Sequence, residues 1–574
     1  MKPLHKPDAQ AENALTQEGL KAPDRELQEF GRVRAYARRG RMPWRRIGER
    51  RQERLINEAL VTREAAGEAN GKPFPLHLNR FVRAGRFQRL LFSRFVDDLR
   101  DAATFDLNRR HPRESARRLF STGQQLAVAL TLAVLITVSI QWPVAALIGL
   151  NAFVTAYFIC IIGFRLYLLF LSRAPSKRAP AAADIPDKDL PVITILLPLY
   201  NDAALLPALS HAVDSLDYPA AKKDVKLLLE EDDAATIREA ERLGLDKRYD
   251  VLRIPASQPR TKPKACNYGL HLARGDLIVI YDAEDQPETD QLRKAAAAFQ
   301  GADESLACAQ ARLNYYNARD NWLTRMFTLE YSLWFDWLLP ALQRLRAPIP
   351  LGGTSNFLRT DTLIKVGGWD PYNVTEDADL GLRLARFGYR TEIIDSTTYE
   401  EANCRTDNWI RQRSRWMKGY IQTWLVHMRA PGAILSHSGW TGLLSVQLFL
   451  AGNVFSALVY PILWTVFAVW LIAQPPVIST LFPGPLLWLN MFALVFGNLF
   501  FILMMAAAPI KRGWYDLCVF GFTAPFYWLL TSAAGYKAVW QTFFRLHYWE
   551  KTDHMLSDAA RRKRKEALEN MIKP

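Results

Sequence analysis

The sequence predicts an α/β soluble domain set between membrane-spanning α-helices. Three observations carry that prediction. Long charge-free runs flank the middle of the chain on both sides. The middle alternates short apolar strands with helices. Acidic clusters recur where those strands end. Strand–helix alternation over such a length implies a mostly parallel sheet, and such sheets bind ligands beyond the carboxyl ends of their strands.

Composition bounds the rest. At ~150 residues per domain, 574 residues make three or four modules. A chain that is 49% hydrophobic is not a disordered one. The five cysteines (160, 266, 308, 404 and 518) show no CxxC or zinc-like spacing, and Cys160 lies in an apolar run, which speaks against a disulfide-stapled secreted protein. The opening MKPLHKPDAQ lacks the apolar stretch of a cleaved signal peptide. Residues 1–120 hold 27 Lys+Arg against 16 Asp+Glu, so +11 of the net +15 sits there. Arg32 to Arg54, with Tyr36 and Trp44 among the arginines, reads either as a binder of anionic lipid or as a solvated juxtamembrane segment that helps fix topology; nucleic acid ranks below both. The Arg34/Arg38 RxxxR spacing of a cyclic di-GMP receptor has no DxSxxG partner and carries almost no information in so basic a stretch. Residues 77–118 alternate apolar and basic side chains (Phe81, Phe87, Leu90, Leu91, Phe95), as amphipathic helices on a membrane do.

Ser121 to Phe164 contains no charge over 44 residues, enough for two spans of about 20 residues with a turn at Trp142-Pro143. Ser438 to Ile510 is charge-free over 73 residues and is broken at Gln474-Pro475-Pro476 and Pro483-Gly484-Pro485; Leu517 to Tyr536 adds a further 20. Buried core helices rarely run so long without a charge. The basic N-terminal region and the tail Arg561-Arg562-Lys563-Arg564-Lys565 place both ends in the cytoplasm. Crossings after residue 440 must then be even in number, whereas three segments stand out, at about 445–473, 484–508 and 514–536. Either a fourth crossing exists, or one segment is re-entrant or lies on the surface; Pro525 marks the last segment for that. The expected organisation is a basic, partly disordered region 1–118, two transmembrane helices in 119–173, a cytoplasmic domain with interfacial helices in 174–437, transmembrane or re-entrant helices in 438–545 and a basic tail 546–574.

The chemistry concentrates in the soluble middle. Val192–Pro198 and Val225–Glu230 read as strands, as does Leu277–Asp282, and helices fall at Ala203–Leu216 and 264–273. Asp232 and Asp233 end the second strand, where a carboxylate can accept bonds from a base or ribose. Asp282-Ala283-Glu284-Asp285 ends the third, offering the oxygen ligands of a hard divalent cation that shares substrate phosphates; an acidic turn is the plain alternative. Arg260-Thr-Lys262-Pro-Lys264 brings cations to the same edge, suited to phosphates, or is simply a basic loop. Thr375-Glu376-Asp377, after Gly367-Gly368-Trp369-Asp370, offers a general base for a hydroxyl, or else a cap and first-turn acids for the helix Ala378–Phe387. Gln412-Arg-Ser-Arg415-Trp416 lies in a Trp-rich helix with Trp409 and Trp424, which suits sugar stacking and diphosphate pairing as well as an interfacial aromatic belt.

Taken in order, Pro198-Leu-Tyr200-Asn201, Asp232/Asp233, Asp282-x-Glu284, Thr375-Glu376-Asp377 and Gln412-x-x-Arg415-Trp416 resemble the membrane-embedded inverting glycosyltransferases of family 2, such as cellulose synthase, hyaluronan synthase and bacterial β-glucan synthases. The resemblance covers about residues 120–555. It implies a GT-A-type glycosyltransferase domain between transmembrane helices and a UDP-sugar donor. It further implies Tyr200, Asp232 or Asp233, Lys264, Asp282 and Arg415 around the donor, and Mg²⁺ or Mn²⁺ on Asp282 and Glu284 with Asp285 as a substitute ligand. Asp377 would be the catalytic base, and Thr375, Glu376, Gln412, Arg415 and Trp416 would face the acceptor. The implied product is a β-linked polysaccharide, a β-glucan from UDP-glucose first of all, exported across a bacterial inner membrane. Its partners would be the growing glycan, membrane lipids and periplasmic or export proteins, with no nucleic acid. Two departures stand out. The usual DxD reads Asp-Ala-Glu, and Pro350-Leu-Gly-Gly-Thr354-Ser355-Asn356 replaces the Cys-containing motif of cellulose synthases. Trp549-Glu-Lys-Thr552 resembles a loop at the active-site mouth, or is a plain amphipathic tail. The competing expectations are a non-processive glycolipid synthase and a nucleotide-sensing transporter; the lack of charge within the spans speaks against coupled ion transport.

Overall fold

The computed structural model describes residues 96–173 and 185–553, with residues 557, 561, 562 and 566 of the tail. The predictions for Arg32 to Arg54, the Arg34/Arg38 pair and Phe81 to Phe95 lie outside the described residues.

The described chain opens with α1 (Val96–Arg110), α2 (Thr122–Gln141) and α3 (Pro143–Leu171). The soluble domain follows as β1 (Ile193–Leu199), α4 (Leu206–Asp214), β2 (Lys223–Glu230), α5 (Ala234–Arg242), β3 (Asp250–Ile254), α6 (Lys262–His271), β4 (Leu277–Ile280), β5 (Gln286–Pro287), α7 (Gln291–Phe299), β6 (Leu306–Tyr315), α8 (Trp322–Ser332), α9 (Leu339–Arg344), β7 (Asn356–Arg359), α10 (Thr360–Lys365), α11 (Glu376–Arg386), β8 (Arg390–Glu400) and α12 (Thr406–His427). The C-terminal helices are α13 (Pro431–Ser445), α14 (Gly452–Ala473), α15 (Pro476–Leu481), α16 (Gly484–Phe492), α17 (Asn498–Ala507) and α18 (Ala524–Phe544).

The strands form one mixed sheet in the order β3-β2-β1-β4-β7-β6-β8-β5. The β3-β2-β1-β4 half is parallel, and β7 runs antiparallel to both β4 and β6. Apolar runs without polar alternation make the central strands because helices cover both faces: Ile193, Ile195, Leu196, Leu197, Leu227, Leu229 and Val279 are fully buried. Each such side chain contributes about 1.5–3 kcal/mol of burial. Strand order reverses between β1 and β4, which opens a crevice at their carboxyl ends. Since β6 and β8 point the same way as β4, the ends of β1, β2, β4 and β8 and the start of β7 share that edge.

Two expectations need correction here. Residues 96–118 do not stand apart from the soluble domain. Leu99, Ala103 and Leu107 of α1 are buried, Asn267 Nδ2 of α6 donates to Ala103 O at 3.0 Å, and Arg386 of α11 pairs with Glu114 at 2.6 Å. Nor do the helices long and apolar enough to span a membrane lack charge. α3 runs on through Arg165 and α18 includes Lys537, because a helix does not stop where a charge-free count stops.

Among the described residues, five helical stretches are long and apolar enough to cross a membrane: Thr122–Gln141, Pro143–Leu171, Pro431–Ala473, Gly484–Arg512 and Tyr515–Phe544. The last differs in its neighbours. Before α18 begins, Asp516 pairs with Arg319 at 2.7 Å and Thr523 Oγ1 accepts from Trp322 Nε1 at 2.8 Å. Beyond its other end, Lys418 Nζ and Gln422 Nε2 of α12 donate to Tyr548 O at 2.6 Å and Leu546 O at 2.9 Å. A helix of 21 residues spans about 30 Å, yet both flanks of α18 are bonded to the same soluble domain. Pro525 does not break it, since proline fits the first turn of a helix.

Candidate active site

A cavity of about 660 Å³ opens at the crevice edge. Its half within the soluble domain is lined by Tyr200, Arg260, Lys262, Asp282, Glu284, Thr375, Glu376, Asp377, Glu400, Gln412, Arg415 and Trp416. It continues among α3, α14, α17 and α18, where Asn453, Ser456, Tyr460, Asn498 and Trp528 line it.

Asp282 follows β4, and its carboxylate pairs with Lys262 Nζ at the start of α6. Lys262 also donates to Gly353 O at 2.7 Å. Gly353 precedes β7 and fixes how near the opposite wall can come: a Cβ built there would lie 3.2 Å from Asp377 Oδ2, 3.8 Å from Asp282 Oδ2 and 4.0 Å from Lys262 Nζ. The two aspartates, 95 positions apart in the sequence, therefore face one point. Asp377 sits in the first turn of α11, where its Oδ1 accepts from Ala378 N at 2.7 Å. Burial raises its carboxyl above the usual range, opposed by that bond and by Lys262. Burial, reinforced by Asp377, raises Glu376 to about 8. Burial alone would lower the Lys262 ammonium, but Asp282 and Glu376 reverse this and hold it above its ordinary value.

Across the cavity, α12 presents Gln412, Arg415 and Trp416, whose i, i+3, i+4 spacing puts them on one face. Asn403 Nδ2 donates to Gln412 Oε1 at 2.7 Å. Arg415 stacks over Trp549 at 4.7 Å, its buried Nε has no hydrogen-bond partner among the described residues, and burial lowers its pKa against the pull of Glu376 and Asp282. Trp416 packs beside Phe327 and Tyr331, with Arg413 over its ring at 4.9 Å. Thr375 is buried against α12: a Cβ on Gly419 would lie 2.3 Å from Thr375 Oγ1, so only glycine allows that approach.

Other predicted residues fall elsewhere. Lys264 is a buried partner of Glu230, at 3.3 Å, and does not line the cavity. It is two residues past Lys262 and so points to the far side of the helix. Asp233 is a buried cap whose oxygens accept from Thr236 N at 3.1 Å and Asn201 N at 2.5 Å. It holds the chain ends of β1 and β2 together and does not reach the cavity. Asp232 is half-exposed and 2.8 Å from Arg260 Nη1, which also donates to Tyr200 Oη at 2.8 Å. Asp285 closes its own turn: Asp282 N donates to its Oδ2 at 2.6 Å, and Thr354 Oγ1 donates to the same oxygen. Buried and away from the cavity lining, it does not stand in for Glu284. Glu230 and Glu400 stand outside the predicted site, and Lys262 enters it only as one cation of the basic run. Lys262 could have been found from the helix start at Lys262-Pro263, whereas Glu400 carries no sequence signal and reaches the edge only through the sheet order. Residues 546–552 are more than a tail, since Trp549, Lys551 and Thr552 line the cavity.

Asp282 and Glu284 supply hard oxygen donors, and no group of three His, Cys, Asp or Glu side chains among the described residues forms a metal cage. Two carboxylates fit a Mg²⁺ or Mn²⁺ ion that completes its shell on substrate phosphates.

Known proteins resemble this chain over part of its length. Residues 277–536 match the family model described as glycosyl transferase family group 2. The chain is 27% identical over 267 residues to the probable glycosyltransferase YdaM of Bacillus subtilis, covering 45% of this chain and 60% of that one. It is 30% identical over 243 residues to the β-monoglucosyldiacylglycerol synthase of a Nostoc species (41% and 50%), and 24% identical over 265 residues to glucomannan 4-β-mannosyltransferase 1 of Oryza sativa (43% and 50%). The chain thus spans about half to three fifths of the length of these curated relatives. A solved mannosyltransferase from Pyrobaculum calidifontis, in complex with GDP-Man and Mn²⁺, aligns at 18% identity and a TM-score of 0.47 over 69% of this chain and 99% of that one. The chain thus matches a family 2 glycosyltransferase model over residues 277–536, within a mixed-sheet domain flanked by helices apolar enough to cross a membrane.

Proposed function

We propose that the protein transfers a hexose with inversion from a UDP-sugar, UDP-glucose first, to a β-linked glycan that it lengthens and passes through the membrane. The observation that carries this reading is the continuity of one cavity from Asp282 and Asp377 to Asn453, Ser456, Tyr460 and Trp528. Hydroxyl, amide and aromatic side chains suit sugar rings better than acyl chains.

Asp377 accepts the proton of the attacking hydroxyl, and its raised pKa makes it a stronger base than an exposed aspartate. One displacement turns an α-linked donor into a β-linked product, and no covalent nucleophile is needed. Asp282 and Glu284 would hold Mg²⁺ or Mn²⁺, which supplies positive charge to the diphosphate. Arg415 and Lys262 face the space where negative charge grows on the departing UDP; such preorganised charge is usually the largest catalytic contribution. Tyr200, with Arg260 and Asp232 at the rim, is suited to the nucleoside. Gln412 and Trp416, with Thr375 and Glu376 behind them, line the acceptor side.

The same reading puts the protein in a bacterial inner membrane with both termini cytoplasmic. Four crossings satisfy that parity when α18 lies in the interface plane between α12 and the ends of the spans. A second reading is favoured by the glucosyldiacylglycerol synthases among the relatives: transfer of one sugar to a lipid. Purified protein in nanodiscs, given labelled UDP-sugars and Mg²⁺, separates them. A polymer resolved on a gel and by linkage analysis supports the first reading, a single labelled glycolipid supports the second, and no transfer from any donor overturns both.

A further inference from the structure

The membrane half of the cavity contains a charge that glycan transport does not require. Arg165 belongs to α3, within a stretch long and apolar enough to span a bilayer, and it lines the cavity. Its Nη2 donates to Asn453 Oδ1 of α14. Its guanidinium sits over the Phe501 ring at 5.4 Å and near Phe449 at 6.0 Å. Its Nε is buried with no hydrogen-bond partner among the described residues. No carboxylate among the described residues lies within ion-pair distance of it. The nearest candidate, Glu330, is already engaged: Arg413 Nη1 donates to Glu330 Oε1 at 2.9 Å and Arg413 Nη2 to its Oε2, while Tyr527 Oη donates to Oε2 at 2.6 Å. Glu330 and Arg413 neutralise each other, so Arg165 leaves this part of the cavity with one positive charge in excess.

A cation in such a place is costly unless something compensates it, and by default it marks a pathway or a ligand. Guanidinium groups match oxyanions with paired donors. Asn453 and the two phenyl rings hold the group in place while Nε remains unspent. We infer that Arg165 is an oxyanion subsite: the acceptor that occupies the membrane half of the cavity carries a phosphate or carboxylate close to the sugar being extended. The inference rests on reading this cavity as the acceptor path. A phospholipid headgroup and an acidic sugar residue present the same chemistry, and the test separates them.

The full chain in phosphatidylcholine nanodiscs is titrated by tryptophan fluorescence, since Trp334 and Trp528 line the same cavity. Two matched pairs serve as probes: octyl phosphate against octyl glucoside, and a cellotetraose oxidised to its uronate against cellotetraose itself. Wild type binds at least one anionic probe about tenfold tighter than its neutral partner, a margin of ~1.4 kcal/mol. Arg165→Gln removes that margin and leaves the neutral probe unchanged, while Arg165→Lys keeps most of it. Preference for octyl phosphate alone assigns a lipid source, preference for the uronate alone assigns an acidic glycan, and either or both support the subsite. Equal affinities within both pairs overturn it, as does an Arg165→Gln variant that keeps the margin. Should Arg165→Gln fail to fold, the wild-type margin and its retention in Arg165→Lys decide. A protein that transfers sugar without any charge preference refutes this inference alone. One that shows the preference but transfers nothing refutes the proposed reaction alone.

Discussion

Gly419→Ala tests whether the Arg415 helix sets the reaction geometry. The built Cβ would lie 2.3 Å from Thr375 Oγ1, 2.4 Å from Cγ2 and 2.7 Å from Cβ. Carbon contacts settle at about 3.5 Å, so α12 must retreat by roughly 1 Å from the start of α11. Arg415, Gln412 and Trp416 ride on the first helix and Asp377 on the second. The retreat therefore pulls Arg415, the proposed leaving-group cation, away from Asp377, the proposed base, while Asp282 and Glu284 beyond β4 and Lys262 on α6 stay in place. Overpacking of this kind costs about 1–3 kcal/mol of stability, which leaves the protein folded. Misplacement of about 1 Å can lower rate by ~10²-fold. The expected result is a kcat/KM near one hundredth of wild type for transfer from the labelled UDP-sugar, with UDP affinity in Mg²⁺ falling less than tenfold by calorimetry. Adding Thr375→Gly removes Oγ1, Cγ2 and the Cβ at 2.7 Å and restores turnover to within about tenfold of wild type. Gly419→Ala at wild-type turnover, or a loss of UDP affinity as large as the loss of turnover, would refute the link between this contact and the chemistry.

Asp377→Asn is expected to lower transfer by ~10³-fold or more while UDP still binds; a variant with full turnover removes the base assignment. Lys262→Met should weaken UDP binding about tenfold, whereas Lys264→Met should leave it within twofold and lower unfolding stability by about 3–5 kcal/mol, because Glu230 would remain buried without its partner. Calorimetry and thermal melts of the pair check both halves, and equal effects on UDP would contradict the helix phase assigned here. Glu376 gives a pH signature. Its folded pKa of about 8 lies above an unfolded value near 4.5, so its contribution to stability is complete below about pH 4.5 and is lost as pH rises through 8. Glu376→Gln should therefore flatten the decline in Tm between pH 5 and pH 8.5, and parallel curves for the two proteins would exclude that burial.

The parts of the site that lie on continuous local patterns were legible in the sequence. β1 and β4 are almost wholly apolar and β2 ends in Leu227-Leu228-Leu229, so the acids that follow them fall at strand ends without further information. Gln412, Arg415 and Trp416 share a helix face by spacing alone. What the sequence hides is phase and reach. In Arg260-Thr-Lys262-Pro-Lys264 the cations look equivalent until the helix start is known; then Lys262 faces the cleft and Lys264 turns toward Glu230. Asp233 and Asp285 look like ligands because capping and turn-closing carboxylates occupy the same positions that ligands do. Glu400 is brought to the edge only because β8 lies parallel to β6, a pairing across some 85 residues that no local pattern encodes. Arg165 was hidden by the counting rule itself, since a charge-free run ends at the first charge and not at the membrane boundary.

The position of α12 explains how Asp377, Arg415 and the 546–552 loop can be set together. Toward α11 it meets the Thr375 turn through Gly419, accepts from Val374 N on Gln422 Oε1 at 3.1 Å, and accepts from Asn373 Nδ2 on Thr423 Oγ1 at 2.9 Å. Toward the C-terminal segment its Lys418 and Gln422 hold Tyr548 O and Leu546 O, and Asn408 Nδ2 holds Asp553 O at 2.8 Å. The loop so held returns Trp549 onto Arg415 and Lys551 Nζ toward Asp202 Oδ1, at 3.3 Å, beside Tyr200. Gln422 contacts both sides at once: its Oε1 serves the base turn and its Nε2 the loop. A rigid helix that shares one residue between two attachments cannot move one without straining the other. Asp377, Arg415 and Trp549 are therefore expected to respond as a unit, and substitutions at Gln422 should alter turnover without touching any cavity-lining side chain.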